Sequence, residues 1–164
     1  MPENSQLEPH PIFDAIYSGN LEEVKNIIEK DRLSLEQVDE NQDTPIFAAI
    51  YSENSDNLDI VKEILKLDSS VLGQVDENQD TPIFAVIRTI QPEIVKVIIE
   101  KDPFLTLNQK NLDNDTPIFL AALISCSSAF HDKAIKSESL KIILEHEFPG
   151  DITESAKKIL KNYF

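Results

Sequence analysis

The chain carries three histidines, His10, His131 and His146, and a single cysteine, Cys126. These residue types ligate transition metals or attack substrates, so their spacing is the first test for chemistry. Neither a His-Glu-x-x-His run nor a paired Cys/His spacing occurs, so zinc has no ligand set here. The nearest approach to a nucleophile–base arrangement is Cys126 with His131-Asp132. Adjacency in sequence supplies none of the geometry that covalent catalysis requires, and a histidine in such a stretch reads as solvated. Only three glycines are present, too few for a phosphate-cradling loop. No catalytic, cofactor-binding or metal-binding residue is assigned, and an enzyme is the least favoured class. One cysteine cannot form an internal disulfide, which fits a reducing compartment.

The abundant chemistry is anionic. Thirty acidic residues against 15 basic ones give a net charge of −15. Such a field opposes nucleic-acid backbones and anionic lipid, and it favours basic partners or simply solubility. The acids also recur in order: Asp39, Glu40 and Asp43, then Asp76, Glu77 and Asp80, then Asp113 and Asp115. Two readings stand for them. They are solvated turn residues that keep an edge from aggregating, or an acidic strip that steers a basic partner. No apolar run approaches the ~18 to 20 residues needed to span a membrane, and MPENSQLEPH has no signal-peptide character. The expectation is a soluble cytoplasmic protein without a membrane or nucleic-acid partner.

What positions the acids is a repeat. Thr-Pro-Ile-Phe occurs at Thr44–Phe47, Thr81–Phe84 and Thr116–Phe119, with a degenerate copy at His10–Phe13. The four prolines lie 34, 37 and 35 residues apart, a period that marks a solenoid whose units bury their apolar faces against one another. In the second unit, Thr44 reads as an N-cap and Pro45 as the first helical residue, followed by the apolar run Ile46–Ile50. A second helix begins near Asn57, with Leu58, Val61, Ile64 and Leu65 at helical spacing. A loop through Asp68–Leu72 leads to the next polar turn. Second helices in the other units read Leu21–Ile28, Glu93–Ile99 and Ser139–Leu144, and a lysine follows the same apolar position in each: Lys25, Lys62, Lys96 and Lys141. Unit two gains three residues around Glu53–Ser55, and unit four gains ten across Ser125–Ser137. Insertions at one shared point are what a surface loop tolerates.

With these residues in view, the chain resembles an ankyrin-repeat protein. Thr-Pro-Ile-Phe stands where that family has Thr-Pro-Leu-His, with Ala48-Ala49 and Ala121-Ala122 after it. Asp59-Ile60-Val61 and Glu93-Ile94-Val95 are similar to the family's second-helix signature, and Asp39–Thr44 and Asp76–Thr81 to its finger turn. The resemblance implies an all-α solenoid of four helix–turn–helix units with β-hairpin fingers along one edge. It also implies a concave face, made of fingers and first helices, that binds another protein. Two departures bear on this. Phe replaces the family's His in every unit, so polar links between motifs should give way to apolar packing. Gln42, Gln79 and Asn114 replace the finger glycine in units two, three and four, and Gln accepts a left-handed backbone poorly, so the fingers of units two and three (the second and third fingers, since unit one has none before it) should be distorted. The chain is also similar to short, Ile- and Asn-rich ankyrin chains of intracellular bacteria that act in the host cytosol.

The units run over about 10–38, 39–75, 76–110 and 111–148, after an N-terminal tail of residues 1–9. Asp14, where later units have Ala48, Ala85 or Leu120, suits an N-terminal cap. Pro149-Gly150 breaks the chain, and the apolar stripe Ala156, Ile159, Leu160, Tyr163 and Phe164 makes 151–164 a capping helix or, alternatively, a partner-binding one. On the concave side the first helices should present Tyr17, Ser18, Tyr51, Ser52, Arg88, Thr89, Leu123 and Ile124, with tyrosine and arginine the typical anchors. Leu123-Ile124 is either covered by the unit-four insertion or part of a contact patch. With Glu40, Asp43, Glu77, Asp80, Asp113 and Asp115 as a rim, these residues form the expected binding site of a monomer for a protein with a basic surface. The alternative is an acidic regulator that masks a basic segment or mimics nucleic acid.

Overall fold

The computed structural model describes residues 10–52, 54–126 and 133–147. In each unit a proline starts the first helix: α1 (Pro11–Tyr17), α3 (Pro45–Tyr51), α5 (Pro82–Arg88) and α8 (Pro117–Cys126). The second helices are α2 (Leu21–Lys30), α4 (Asn57–Leu67), α6 (Pro92–Lys101) and α9 (Lys133–Glu147), and a short α7 (Pro103–Leu107) follows α6. Among the described residues no strand is formed.

First helices pack in one row, α1 on α3 on α5 on α8, and second helices in another, α2 on α4 on α6 on α9. The core lies between the rows. Ile46, Phe47, Ala48, Ala49 and Ile50 are all buried, as are Ile83–Ile87, so the interior first helices are covered except at their last residues, Tyr51 and Arg88. Small Ala48, Ala49 and Ala85 let the flanking helices approach. Asp14 is exposed where Ala48 and Ala85 are buried, which leaves the first unit with one polar face. The second helices turn their lysines to solvent, where Lys62 pairs with Asp59 at 2.8 Å and Lys66 with Glu63 at 2.9 Å within their own helix.

Several local expectations are corrected. The fingers are single hydrogen-bonded turns rather than strand pairs: Asp39 N–H reaches Asp43 O, Asp76 N–H reaches Asp80 O and Asn111 N–H reaches Asp115 O. They are also not distorted. Gln42 (φ 66°), Gln79 (φ 59°) and Asn114 (φ 65°) all take the left-handed conformation. The reason is the first residue of each turn. Asp39 Oδ1 accepts from the Asn41 and Asp43 N–H groups at 2.8 and 3.0 Å. Asp76 Oδ1 accepts from Asn78 and Asp80, and Asn111 Oδ1 from Asp113 and Asp115, in the same way. Two side-chain hydrogen bonds, charge-assisted in the two aspartate turns and neutral at Asn111, outweigh the ~1 kcal/mol that a non-glycine residue loses there. The stretches after the second helices, read as loops, are short helical turns at Arg32–Glu36 and Ser69–Gly73 and the helix α7 in unit three. Asp31, Asp68 and Asp102 start them by accepting backbone N–H bonds from Leu33, Ser70 and Leu105. The unit-four insertion lengthens helices, since α8 runs to Cys126 and α9 already begins at Lys133. His131-Asp132, the tail 1–9 and the helix expected over 151–164 lie outside the described residues.

Polar links between units persist, contrary to the expectation from Phe-for-His, and the threonine of the motif takes part in them. Thr44 and Thr81 make no side-chain cap bond. Thr44 Oγ1 instead donates to Gln74 Oε1 at 2.6 Å, and Gln74 Nε2 donates to Leu35 O of the preceding unit at 2.9 Å. Gln109 repeats the clasp one unit on, accepting from Thr81 Oγ1 and donating to Leu72 O at 3.1 Å.

Candidate protein-binding face

Tyr17, Tyr51, Arg88 and Leu123 each lie six residues after the opening proline of their unit. Being equivalent, they fall in one row along the first-helix face. They remain accessible: Tyr17 is 49% exposed, Tyr51 39% and Leu123 50%. Three of them are anchored to the fingers. The Tyr17 hydroxyl donates to Asp39 Oδ2 of the next finger, and the Tyr51 hydroxyl donates to Asp76 Oδ2 at 2.6 Å. Tyr51 also stacks on Phe47, with ring centroids 6.1 Å apart. In unit three the following finger begins with Asn111 instead of an aspartate, and Arg88 turns back to its own finger, its Nε 2.5 Å from Asp80 Oδ2. Each side chain is thereby tied to a fixed backbone turn.

Electrostatics of the row follow from these contacts. Burial and the adjoining Asp39 push the Tyr17 phenol far above its ordinary value, and burial with Asp76 does the same for Tyr51. Both phenols are neutral donors at any physiological pH. Burial opposes the charge on Asp39, but hydrogen bonds from Tyr17 and from the Asp43 and Asn41 amides outweigh it and lower that carboxyl. Asp43 lacks such help. Burial, reinforced by the nearby charges of Asp39, Asp76 and Glu77, raises its carboxyl to about 6.

The remaining expected site residues divide by unit. Ser52 Oγ donates to Ala49 O and Thr89 Oγ1 to Ala85 O, so both hydroxyls close their helix ends. Ser18 Oγ does likewise toward Ala15 O. Glu40, Glu77 and Asp113 are exposed, Asp115 is half-buried, and Asp43 and Asp80 are buried at the base of their turns. Ile124 packs partly against the core, whereas Leu123 does not. Side chains that sequence reasoning passed over also belong here. Leu112, 75% exposed, takes the fourth finger's tip position, where the other fingers carry Glu40 and Glu77. The face therefore changes from acidic to apolar toward unit four, and a comparison of the finger turns residue by residue would have shown it. Behind the row, a groove of about 1030 Å³ opens between units two and three, walled by Tyr51, Ser52, Arg88, Thr89 and Ile90. Ile90 sits there at φ 58°, where unit one has Gly19 at φ 71°. Asn57 Nδ2 bridges this groove to Gln91 Oε1 at 3.0 Å.

Among the described residues no group of three or more His, Cys, Asp or Glu side chains is placed to hold a metal ion, and no helix is long and apolar enough to cross a membrane. No family model and no curated protein matches the sequence. Among solved structures, the ankyrin repeat domain of Bcl-3, a unique member of the IkappaB protein family, aligns with a TM-score of 0.65 at 18% sequence identity. The alignment covers 83% of this chain and 56% of that one, so the chain spans little more than half of that domain's length. The repeated Thr-Pro-Ile-Phe starts, the paired helix rows and this structural likeness agree: the chain has an ankyrin-repeat fold.

Proposed function

We propose that the chain is a non-enzymatic binding module that takes a protein partner across its first-helix face and finger edge. The observation that carries this reading is the row of Tyr17, Tyr51, Arg88 and Leu123, half-exposed at one position in successive units and, for the first three, braced by finger carboxylates. Aromatic and guanidinium groups held rigidly at a surface are the residues that dominate interface energies. The fingers supply a mainly anionic rim, so the partner presents a basic surface, and the rim raises the rate of encounter more than the final affinity. A net charge of −15 turns nucleic-acid phosphates away, and it suits a cytosolic monomer. A second reading, a regulator that masks a basic protein segment, draws on the acids gathered between the second and third fingers.

Partner capture from lysate by the tagged full chain, with the captured protein identified by mass spectrometry, tests the reading. Tyr51→Ala combined with Arg88→Ala should abolish that capture, each side chain supplying ~2 kcal/mol or more. Changes at Lys25 and Lys62, on the second helices, should leave it intact. Loss of capture with the lysine changes, and retention with the Tyr51/Arg88 pair, would place the binding face elsewhere.

A further inference from the structure

A cavity of about 690 Å³ lies between the second and third fingers, lined by Glu40, Asp43, Asp76, Glu77, Asp80 and Arg88. Five carboxylates thus face one guanidinium. Most of them are already engaged or solvated. Asp80 holds Arg88, Asp76 accepts from the Tyr51 hydroxyl and two backbone amides, and Glu40 and Glu77 are exposed to water. Asp43 differs. It is 9% exposed, its backbone N–H donates to Asp39, and its carboxylate has neither a hydrogen-bond donor nor an ion-pair partner among the described residues. The charged groups around it are Asp39 on its own finger, Asp76 and Glu77 on the next, and Asp80 with Arg88 across the cavity. The Asp43 oxygens are not sealed in the protein but open into the cavity, and a largely buried carboxylate unpaired among like charges is destabilising.

We propose that this cavity receives a guanidinium group from an arginine of the partner protein, with Asp43 as its principal counter-charge. The inference rests on the binding face proposed above and specifies which chemistry the partner must bring to it. An arginine suits the site better than a metal ion. Calcium and magnesium need six or more oxygens converging at short range, and no such acid group is assembled among the described residues. A planar, weakly hydrated guanidinium can span separated carboxylates and donate to two of them at once. The neighbouring cavity of about 420 Å³ between the third and fourth fingers carries Leu112 at its edge, so an apolar residue beside the arginine would find contact there.

The test uses the full chain and acetyl-Ala-Arg-Ala-amide, with lysine and citrulline counterparts and calcium chloride, read from backbone amide shifts of Asp43, Asp76 and Asp80 by NMR. The arginine peptide should shift these amides at millimolar concentration, the lysine peptide less and the neutral citrulline peptide not at all. Asp43→Asn should weaken arginine binding about tenfold or more, while Glu22→Gln on α2 leaves it unchanged. Binding to the unaltered chain should also weaken by about tenfold from about pH 7 to about pH 5, and that dependence should vanish in the Asp43→Asn chain. Thermal melts of both variants exclude unfolding as the cause. Equal binding by Asp43→Asn, equal loss in Glu22→Gln, no shift with any peptide, or the same shifts with calcium alone would each overturn the assignment. None of these results touches the binding-face reading, because the peptide assay needs no natural partner. Capture retained in Asp43→Asn but lost with the Tyr51/Arg88 pair would reject the arginine cavity alone.

Discussion

Replacing Gln74 by alanine probes how neighbouring units are held together. The amide accepts from Thr44 Oγ1 at 2.6 Å and donates to Leu35 O at 2.9 Å, and Leu35 itself is buried. Two hydrogen bonds at ~1 kcal/mol each are lost, and a buried carbonyl left without a donor adds about 1 kcal/mol more, so Gln74→Ala should lower stability by about 2 to 3 kcal/mol. Urea melts of the full chain followed by circular dichroism would register this as a lower midpoint with an unchanged slope. Gln37 provides an internal control. It holds the same position in unit one, where His10 replaces the threonine, and its Oε1 has no hydrogen-bond partner among the described residues. Gln37→Ala should therefore lower stability by less than about 1 kcal/mol. A double-mutant cycle with Thr44→Val should return a coupling of about 1 kcal/mol with Gln74→Ala. If Gln37→Ala and Gln74→Ala are equally damaging, the Gln74–Leu35 bond does not join the units and apolar packing alone holds them; a cycle without coupling would mean that Thr44 does not brace Gln74.

Ile83→Ala removes a side chain that is 1% exposed in an interior unit, and denaturant melts should show a loss of about 2 to 5 kcal/mol. The Asp43 carboxyl, raised from 3.8 to about 6, binds its proton more tightly in the folded chain, so its ionisation destabilises the fold. The stability advantage of Asp43→Asn should thus be near zero below about pH 4, grow as pH rises to about 6, and level off near 1 kcal/mol after allowance for solvent screening. Melts at several pH values that show no such rise would mean Asp43 has an unrecognised donor. At Ile90, where φ is 58°, Ile90→Gly should be about 1 kcal/mol more stable than Ile90→Ala, the reverse of the usual preference near a helix end. Equal midpoints for the two variants would show that the turn relaxes out of the left-handed region.

The helix rows were legible because the signals that build them are local and repeated. Proline at the first helical position, small residues at Ala48-Ala49 and apolar residues at helical spacing from Leu58 to Leu65 each give the same reading. The short turns after the second helices escaped that reading. Their start depends on one side chain, Asp31 or Asp68, accepting a backbone N–H two residues on, and an aspartate in a polar stretch has no distinguishing composition. Thr44 does occupy the N-cap position, but the partner of its hydroxyl was hidden for a related reason. A threonine before proline fits an N-cap, and only the position of Gln74, thirty residues later, decides that its hydroxyl is drawn away. The recurrence of Gln37, Gln74 and Gln109 two residues before each finger was available in the sequence, but a single residue type at a fixed place carries no geometry by itself.

The row of Tyr17, Tyr51, Arg88 and Leu123 was legible by position and illegible in its wiring, and the two are linked through the fingers. Periodicity alone put Tyr17, Tyr51, Arg88 and Leu123 at equivalent sites. It could not say that the first residue of a finger both shapes the turn and receives the preceding tyrosine. Asp39 and Asp76 do this with separate oxygens, Oδ1 for the turn amides and Oδ2 for the phenol. An asparagine in that place can still shape the turn, as Asn111 Oδ1 does, but it no longer offers a carboxylate to a side chain on the helix. The change from Asp to Asn in the fourth finger accompanies the rest of the change along the face: Arg88 turns back to Asp80, Leu123 replaces a tyrosine, and Leu112 replaces a glutamate. One substitution pattern therefore sets finger geometry, side-chain orientation and surface character together. Altering the finger aspartates for charge alone would also release the tyrosines. Asp76→Asn, which preserves the turn, separates those roles where Asp76→Ala cannot.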